Sequence, residues 1–315
     1  MKKEINWWDM NDTEIFLLDK SYCDFILNQV ELKHKNLNNL RFRLGIGLEI
    51  YQSLKFKKQG IKNLHLKKVL NSIDINFSDL NNKFTGIGRY KAAKFTFPIN
   101  LSPYWSCLLA HSFFDGYADN YIMRYSNYDF DNRKEFTTLI NKIFGGTLIF
   151  NNPKNFRRDI DLPATIPRLL EKFFSVTTFY SKKCRIPKSV FRLAKMDKLY
   201  GSYFLKAAYI DEGTISGGQI WIVRGIVNKN LAKDVSRLSK ILDIKCRIKL
   251  TSKVYNGYSV GVKSECFDRF YDNIKPLFWN PNKKLLKLDN MIVRHRTPLE
   301  RDSFGRFIGR GLNGR

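Results

Sequence analysis

The sequence predicts an α+β protein in which a helical N-terminal segment precedes two similar halves. Three observations carry that expectation. Apolar residues recur at helical spacing through roughly the first 100 positions. Two apolar, helix-like stretches, "WSCLLAHSFFDG" from Trp105 and "YFLKAAYIDEG" from Tyr203, each break off at an acid followed by glycine. Finally, "KCRIKLTSKVYNGYSVGVKSE" alternates polar and apolar residues with the period of a strand.

Bulk properties narrow the partners. The chain has 315 residues, 43% of them hydrophobic, enough for two or three compact units with a real core. Lys and Arg total 55 against 29 Asp and Glu, a net charge of +26. That excess is far above what solubility needs and points to a polyanion, most commonly nucleic acid. A ribosome-like structural role and an anionic membrane surface are the alternatives. The membrane is disfavoured because no basic amphipathic helix presents one wide apolar face, and no apolar run approaches the roughly 20 residues that span a bilayer. "MKKEINWWDMND" has no apolar stretch of the kind that marks a secretory signal. The five cysteines are scattered, with no C-x-x-C pair, so neither disulfides nor a structural zinc site is expected and a reducing, cytoplasmic setting fits.

The N-terminal segment (1–100) is expected to be mostly helical. Ile15, Phe16, Tyr22, Phe25, Ile26 and Val30 give rough helical spacing. Leu64, Leu66, Val69 and Leu70 form a short amphipathic run, "SIDIN" breaks it, and Ser78 can cap a second run carrying Leu80 and Phe84. Two short helices with a tight break make a helix-turn-helix or an ordinary αα corner; spacing does not choose. "FPINLSPY" reads as a linker, with helix resuming at about Pro103. Each half then carries a helix ending in acid-Gly, strand-like sequence and a polar amphipathic helix: "NRKEFTTLINKIFGG" in the first, "NLAKDVSRLSKIL" in the second. From about Asn290 the Arg- and Gly-rich sequence shows no period and reads as a flexible basic tail (291–315), a nonspecific nucleic-acid arm.

In the second half, Arg247, Lys249, Thr251 and Lys253 alternate with Ile248, Leu250, Ser252 and Val254. Asn256-Gly257 signals a hairpin. A three-residue connection, Asn256 to Tyr258, keeps the two faces consistent and sets Lys263 beside the basic row. The product is a ribbon with Arg247, Lys249, Lys253 and Lys263 on one side. Lysines on a strand also serve merely to deter edge pairing; the net charge favours nucleic-acid contact.

A helix C-terminus carries about half a negative charge, so a carboxylate there is disfavoured by about 0.3–1 kcal/mol. Gly116 and Gly213 read as ordinary helix stops able to take positive φ. The acids beside them, Asp115 and Glu212, need another reason. A divalent cation reverses the penalty, since helix-end carbonyls and carboxylates both favour it. If the two helices lie side by side, Ala110 and Ala207 occupy equivalent seam positions that permit close approach, and the acids meet at one end. Without a cation one of them takes up a proton. With Mg²⁺ or Mn²⁺ they can act on a phosphodiester.

These features resemble the LAGLIDADG homing endonucleases. "LLAHSFFDG" (108–116) and "LKAAYIDEG" (205–213) each match the nine-residue motif helix. "RIPKSVF" (185–191) is similar to the usual lead-in to the second helix, and "NKNLAKDVSRLSKILDIKCRI" to the downstream helix and strand. The resemblance covers roughly 101–290. It implies an αββαββα fold in each half (101–195 and 196–290), central packing of the motif helices, two sheets on the DNA major groove, and Mg²⁺ held at the last acids with the adjoining Gly116 and Gly213. The chain departs from the pattern where the second small residue is expected, with Phe114 in one helix and Asp211 in the other. Asp211 leaves two adjacent acids, of which position favours Glu212. His111 is either a packing residue or a ligand. Lys263 and Lys249 are both candidates for polarising the scissile phosphate. The first-half strand region around "IFNNPKNFRRDIDL" is short and irregular.

The expected function is therefore metal-dependent, site-specific cleavage of double-stranded DNA by a monomer. The alternatives are a catalytically silent DNA-binding regulator and an RNA-splicing factor on the same scaffold.

Overall fold

The computed structural model describes residues 3–56, 60–87, 96–118, 122–145, 159–252 and 257–297. The N-terminal segment contains β1 (Glu4–Ile5), β2 (Ile15–Leu18), α1 (Lys20–His34), α2 (Leu37–Leu44), α3 (Glu49–Phe56), β3 (Ile61–Lys62), α4 (Asn63–Ser72), β4 (Phe84–Ile87) and β5 (Ile99–Asn100). Helices dominate, but a three-stranded sheet ordered β3-β2-β4 and a β1-β5 ribbon join them. Ile15 and Phe16, read as helical from spacing, lie in β2, and Phe25 is exposed. The expected second short helix is also revised. Asn76, not Ser78, caps a single 3₁₀ turn over Phe77–Leu80, and Phe84 opens a strand. Trp7, Phe16, Phe84 and Phe97 form the aromatic centre of this segment, with neighbouring ring centroids 4.9–6.0 Å apart.

The first half follows as α5 (Pro103–Phe113), β6 (Gly116–Ala118), β7 (Ile122–Ser126), α6 (Phe130–Phe144), β8 (Asp159–Pro163) and α7 (Thr165–Phe174). After α8 (Lys188–Met196), the second half runs α9 (Lys198–Glu212), β9 (Thr214–Ser216), β10 (Gln219–Ile226), α10 (Lys229–Ile241), β11 (Cys246–Ser252), β12 (Gly257–Val262) and α11 (Phe267–Ile274), the αββαββα order. Its sheet is β11-β12-β10-β9; that of the first half is β6-β7-β8. The segment between α6 and β8, where the second half carries β11, lies largely outside the described residues. Beyond α11, α12 (Lys283–Arg296) includes residues 291–296, which the sequence reading placed in an unstructured tail; 298–315 lie outside the described residues.

Local chemistry sets the main boundaries. Pro103 opens α5 at a first-turn position. Asp129, Asp197 and Asn228 cap α6, α9 and α10 through their side chains, and Gly145 ends α6 in the left-handed conformation. Residues 105–113 of α5 and 201–210 of α9 are buried on every face, which explains their lack of a polar stripe. These two helices pack together at the centre.

The N-terminal segment is tied to the first half by one buried carboxylate. Glu14, 2% exposed, accepts hydrogen bonds from Thr165 Oγ1 and, at 2.5 Å, from Arg168.

Candidate active site

The seam between α5 and α9 is read from its contacts. Ser106 Oγ donates to Tyr200 O at 2.7 Å. The rings of Phe113 and Phe114 lie 6.4 and 6.3 Å from that of Phe204. Tyr200, Phe204 and Asp211 all face α5, and Ala207 falls on the same i, i+4, i+7, i+11 stripe. Ala110 sits one turn after Ser106. Both alanines are fully buried, as a close helix–helix approach requires.

Asp115 and Glu212 follow the paired His111 and Asp211 at the same end of this seam. Burial pushes the Asp115 carboxyl up to about 8, and the nearby charges of Asp211 and Glu212 add to it; Asn127 and His111 pull the other way. Burial likewise raises Glu212 to about 7, reinforced by Asp211 and opposed by Lys284. Two acids 97 positions apart in the chain thus share one electrostatic environment. Asn127 Nδ2 donates to Asp115 Oδ2, and the Asp115 carbonyl accepts from Ser126 N at 3.0 Å.

Asp211 plays a different part. Its side chain has no solvent exposure. It faces His111 Nδ1 at 2.9 and 3.1 Å and accepts from Tyr125 Oη at 2.9 Å. Burial works against a charged His111, but Asp211 outweighs it and holds the imidazole at about 10. Of the two adjacent acids, Asp211 is the one engaged across the seam by His111 and Tyr125. His111 packs on Tyr125 and Phe136 and faces Asp211, and nothing in the sequence indicates that pairing.

Lys284, from the first turn of α12, was not anticipated. Its Nζ donates to the carbonyls of Tyr209 and Asp211, each at 3.2 Å. Burial lowers its pKa, while Asp211, Asp115 and Glu212 raise it. An ammonium therefore sits on the α9 C-terminus, where helix-end carbonyls favour a cation. Lys284 is far from the motif in sequence, so no spacing rule reaches it.

The glycines serve another purpose than the one expected. Gly213 has φ −77°, and Gly116 is not among the positive-φ residues. A Cβ on Gly116 would come within 2.5 Å of Ser112 Cα, and one on Gly213 within 2.5 Å of the Tyr209 carbonyl oxygen. Each is glycine because the chain turns tightly against its own helix.

In the second sheet, Arg247 and Lys249 share a face, since Arg247 pairs with Gly261 and Lys249 with Ser259. Lys263, whose N–H donates to Lys245 O at 2.9 Å, continues that face beyond β12. Lys253 lies outside the described residues. The register differs from the expected one: Ser252 pairs with Gly257, so Gly257 begins β12 instead of turning the hairpin. Its missing side chain leaves room for Gly225 of β10, whose Cα would lie 3.1 Å from a Cβ there. Arg247 donates to Gln219 Oε1 and lies over the Trp221 ring, 5.9 Å from its centroid. The opposite face, with Val260 and Val262, packs on α10. The first sheet is not basic in the same way. There Arg124 is held by Asp161 at 2.7 Å, with Asp159 beside it.

Among the described residues no group of three or more His, Cys, Asp and Glu side chains is arranged to hold a metal, and no helix is long and apolar enough to cross a membrane. The donor chemistry at the seam end, two oxygen acids raised by burial and by the neighbouring Asp211 charge, nonetheless suits a hard divalent cation.

No protein-family model matches the chain. No curated protein matches it either. Solved structures are similar in part. The homing endonuclease I-DmoI, in complex with DNA and Ca, is 14% identical, with a TM-score of 0.44 over 60% of this chain and 97% of its own. The homing endonuclease I-WcaI, bound to its DNA recognition sequence, is 14% identical, with a TM-score of 0.39 over 60% and 87%. Full-length DUF199/WhiA from Thermatoga maritima is 13% identical, with a TM-score of 0.38 over 63% and 62%.

Proposed function

We propose that the protein is a divalent-metal-dependent endonuclease acting on double-stranded DNA. The observation that supports this most is the shared environment of Asp115 and Glu212 at one end of the α5–α9 seam. Asp115 and Glu212 would hold Mg²⁺ or Mn²⁺, with the backbone at Gly116 and Gly213 beside them. A metal bound there would lower the pKa of a water and stabilise the leaving oxygen. Asn127 orients the Asp115 carboxylate through its hydrogen bond. Lys284 offsets repulsion between the acids, keeping Glu212 closer to its ionised form. Arg247, Lys249, Lys253 and Lys263 would bind phosphates, with neighbouring polar residues of the sheet reading base edges.

The test is conversion of supercoiled plasmid with Mg²⁺ and with EDTA. Wild type should cleave only with Mg²⁺, and Asp115→Asn should bind DNA yet not cleave. Equal conversion by wild type and Asp115→Asn would remove the proposal.

A second reading, a DNA-binding regulator without cleavage, is favoured by one feature. His111 and Lys284 already place two cations beside the three acids, so the helix ends hold together without a metal. In that case wild type binds DNA equally well in EDTA and never cuts.

A further inference from the structure

A groove runs between α8 and α10, on the side of α10 away from the sheet. It has two adjoining lobes of about 450 and 620 Å³. Lys188, Arg192 and Lys195 line one wall, at i, i+4 and i+7 of α8; Arg237 and Lys240 line the other, at i and i+3 of α10. All five are exposed. The larger lobe has no acidic lining residue. In the smaller, Asp234 is already neutralised by Arg185 through two hydrogen bonds of 2.6 and 2.8 Å. Arg237 is ordered by its position over the Phe191 ring, 4.8 Å from the centroid.

Like charges at i, i+3 and i+4 destabilise a helix by about 0.2–0.5 kcal/mol per pair. Here such pairs occur on two facing helices, and the one acid lining the groove, Asp234, is already paired with Arg185. The fold accepts repulsion at this place, and a polyanion would relieve it. Concavity selects the kind of polyanion. Cations on two opposing walls enclose a line of negative charge, whereas a bilayer surface would meet them on a plane. Guanidinium groups on both walls, Arg192 and Arg237, suit the paired oxygens of a phosphodiester.

We propose that the α8–α10 groove binds the backbone of a second segment of duplex DNA, without reading sequence. The proposal goes beyond the nuclease reading and stands apart from it, because α10 separates the groove from the β9–β12 face. A chain with two such faces can bridge two duplexes.

The experiment uses the full chain and a mixed-sequence fluorescent duplex. Four proteins are compared: wild type, the groove variant Arg192→Ala/Lys195→Ala/Arg237→Ala, the sheet variant Arg247→Ala/Lys249→Ala, and their combination. Lys195→Glu/Lys240→Glu, at two exposed positions, repeats the groove test if the triple variant is destabilised. The sheet variant should retain salt-dependent binding that the combination loses. The groove variants should bind bead-immobilised duplex yet fail to capture a second duplex in solution. The slope of log K against log salt should fall by about 0.9 for each lost phosphate contact. Equal bridging and slope for wild type and both groove variants would overturn the assignment. So would groove-dependent binding of phosphatidylserine vesicles or polyglutamate at the affinity found for DNA.

Discussion

His111 Nδ1 lies 2.9 Å from Asp211 Oδ2, joining the last turns of the two central helices through a pair whose side chains are 1% and 0% exposed. Removing one partner of a buried pair strands the other charge, at a cost of about 3–5 kcal/mol. His111→Ala should therefore destabilise the protein by that amount in urea unfolding. The double variant His111→Ala/Asp211→Ala should cost less than the sum of the two single changes. Additive losses would mean that the residues do not interact.

Stability should depend on pH in a direction set by the two acids. Asp115 at about 8 and Glu212 at about 7 both stand above their ordinary values of 3.8 and 4.5. A raised acid binds its proton more tightly in the folded state. Its contribution is fully present below about pH 4 and is lost as pH climbs through 7 and 8. His111, held at about 10, keeps its charge in the folded state while the unfolded imidazole loses its proton above 6.5, so its contribution falls in the same direction. The thermal midpoint of the metal-free protein should fall between about pH 5 and pH 8, and Asp115→Asn should flatten the fall. Millimolar Ca²⁺ should restore the midpoint at the upper end for wild type but not for the variant. A midpoint independent of pH in the wild type would refute the shared environment.

The strap formed by residues 278–284 should fail as a unit. Glu135 of α6 accepts from Trp279 N at 2.9 Å and from Asn280 N at 3.1 Å. Lys206 of α9, fully buried, lies 2.6 Å from Glu135 Oε1 as a charge contact, not along a hydrogen-bond direction, and 3.3 Å from the Trp279 ring centroid. Asn282 Nδ2 donates to Asn132 at 2.9 Å. Glu135→Gln leaves the Lys206 ammonium without its counter-charge, a loss of about 3–5 kcal/mol. Limited proteolysis should then cut between 275 and 297 first. Cleavage elsewhere, with this segment still protected, would contradict the role given to Glu135.

Gly116→Ala should cost about 1–3 kcal/mol, as overpacked substitutions do, because its Cβ would meet backbone atoms of Ser112 and His111 that have no room to yield. Gly145→Ala makes a useful contrast: its φ is +70° but the space around it is open. A neutral Gly116→Ala in thermal melts would show that α5 can end differently.

Much of the central architecture was legible in the sequence, for physical reasons. The α6 and α10 helices announce themselves by apolar period, α5 and α9 by apolar runs that stop at an acid and a glycine, and β11 by alternation. The shortest N-terminal strands were not, because β1, β3 and β5 have two residues each and two residues carry no period. The β11–β12 register was missed because Asn256-Gly257 has the composition of a turn, while Gly257 is glycine for its contact with Gly225. At the site, the acids were visible as an electrostatic anomaly at helix ends. Lys284 and the His111–Asp211 pair were not, since both depend on which residues distant in the chain become neighbours.

The strap has a consequence for how this chain can be rearranged. Trp279 lies beside Tyr104 of the first motif helix and stacks on Tyr203 of the second, at 5.8 Å from each. Residues 278–284 are thus a shared keystone, contributed by one half and seated in both. The halves are not interchangeable cassettes. A chimaera that pairs either of them with a foreign counterpart must carry residues 278–284 and their sockets at Glu135, Asn132 and Lys206 together, or it inherits a vacant seat beside its own central helices.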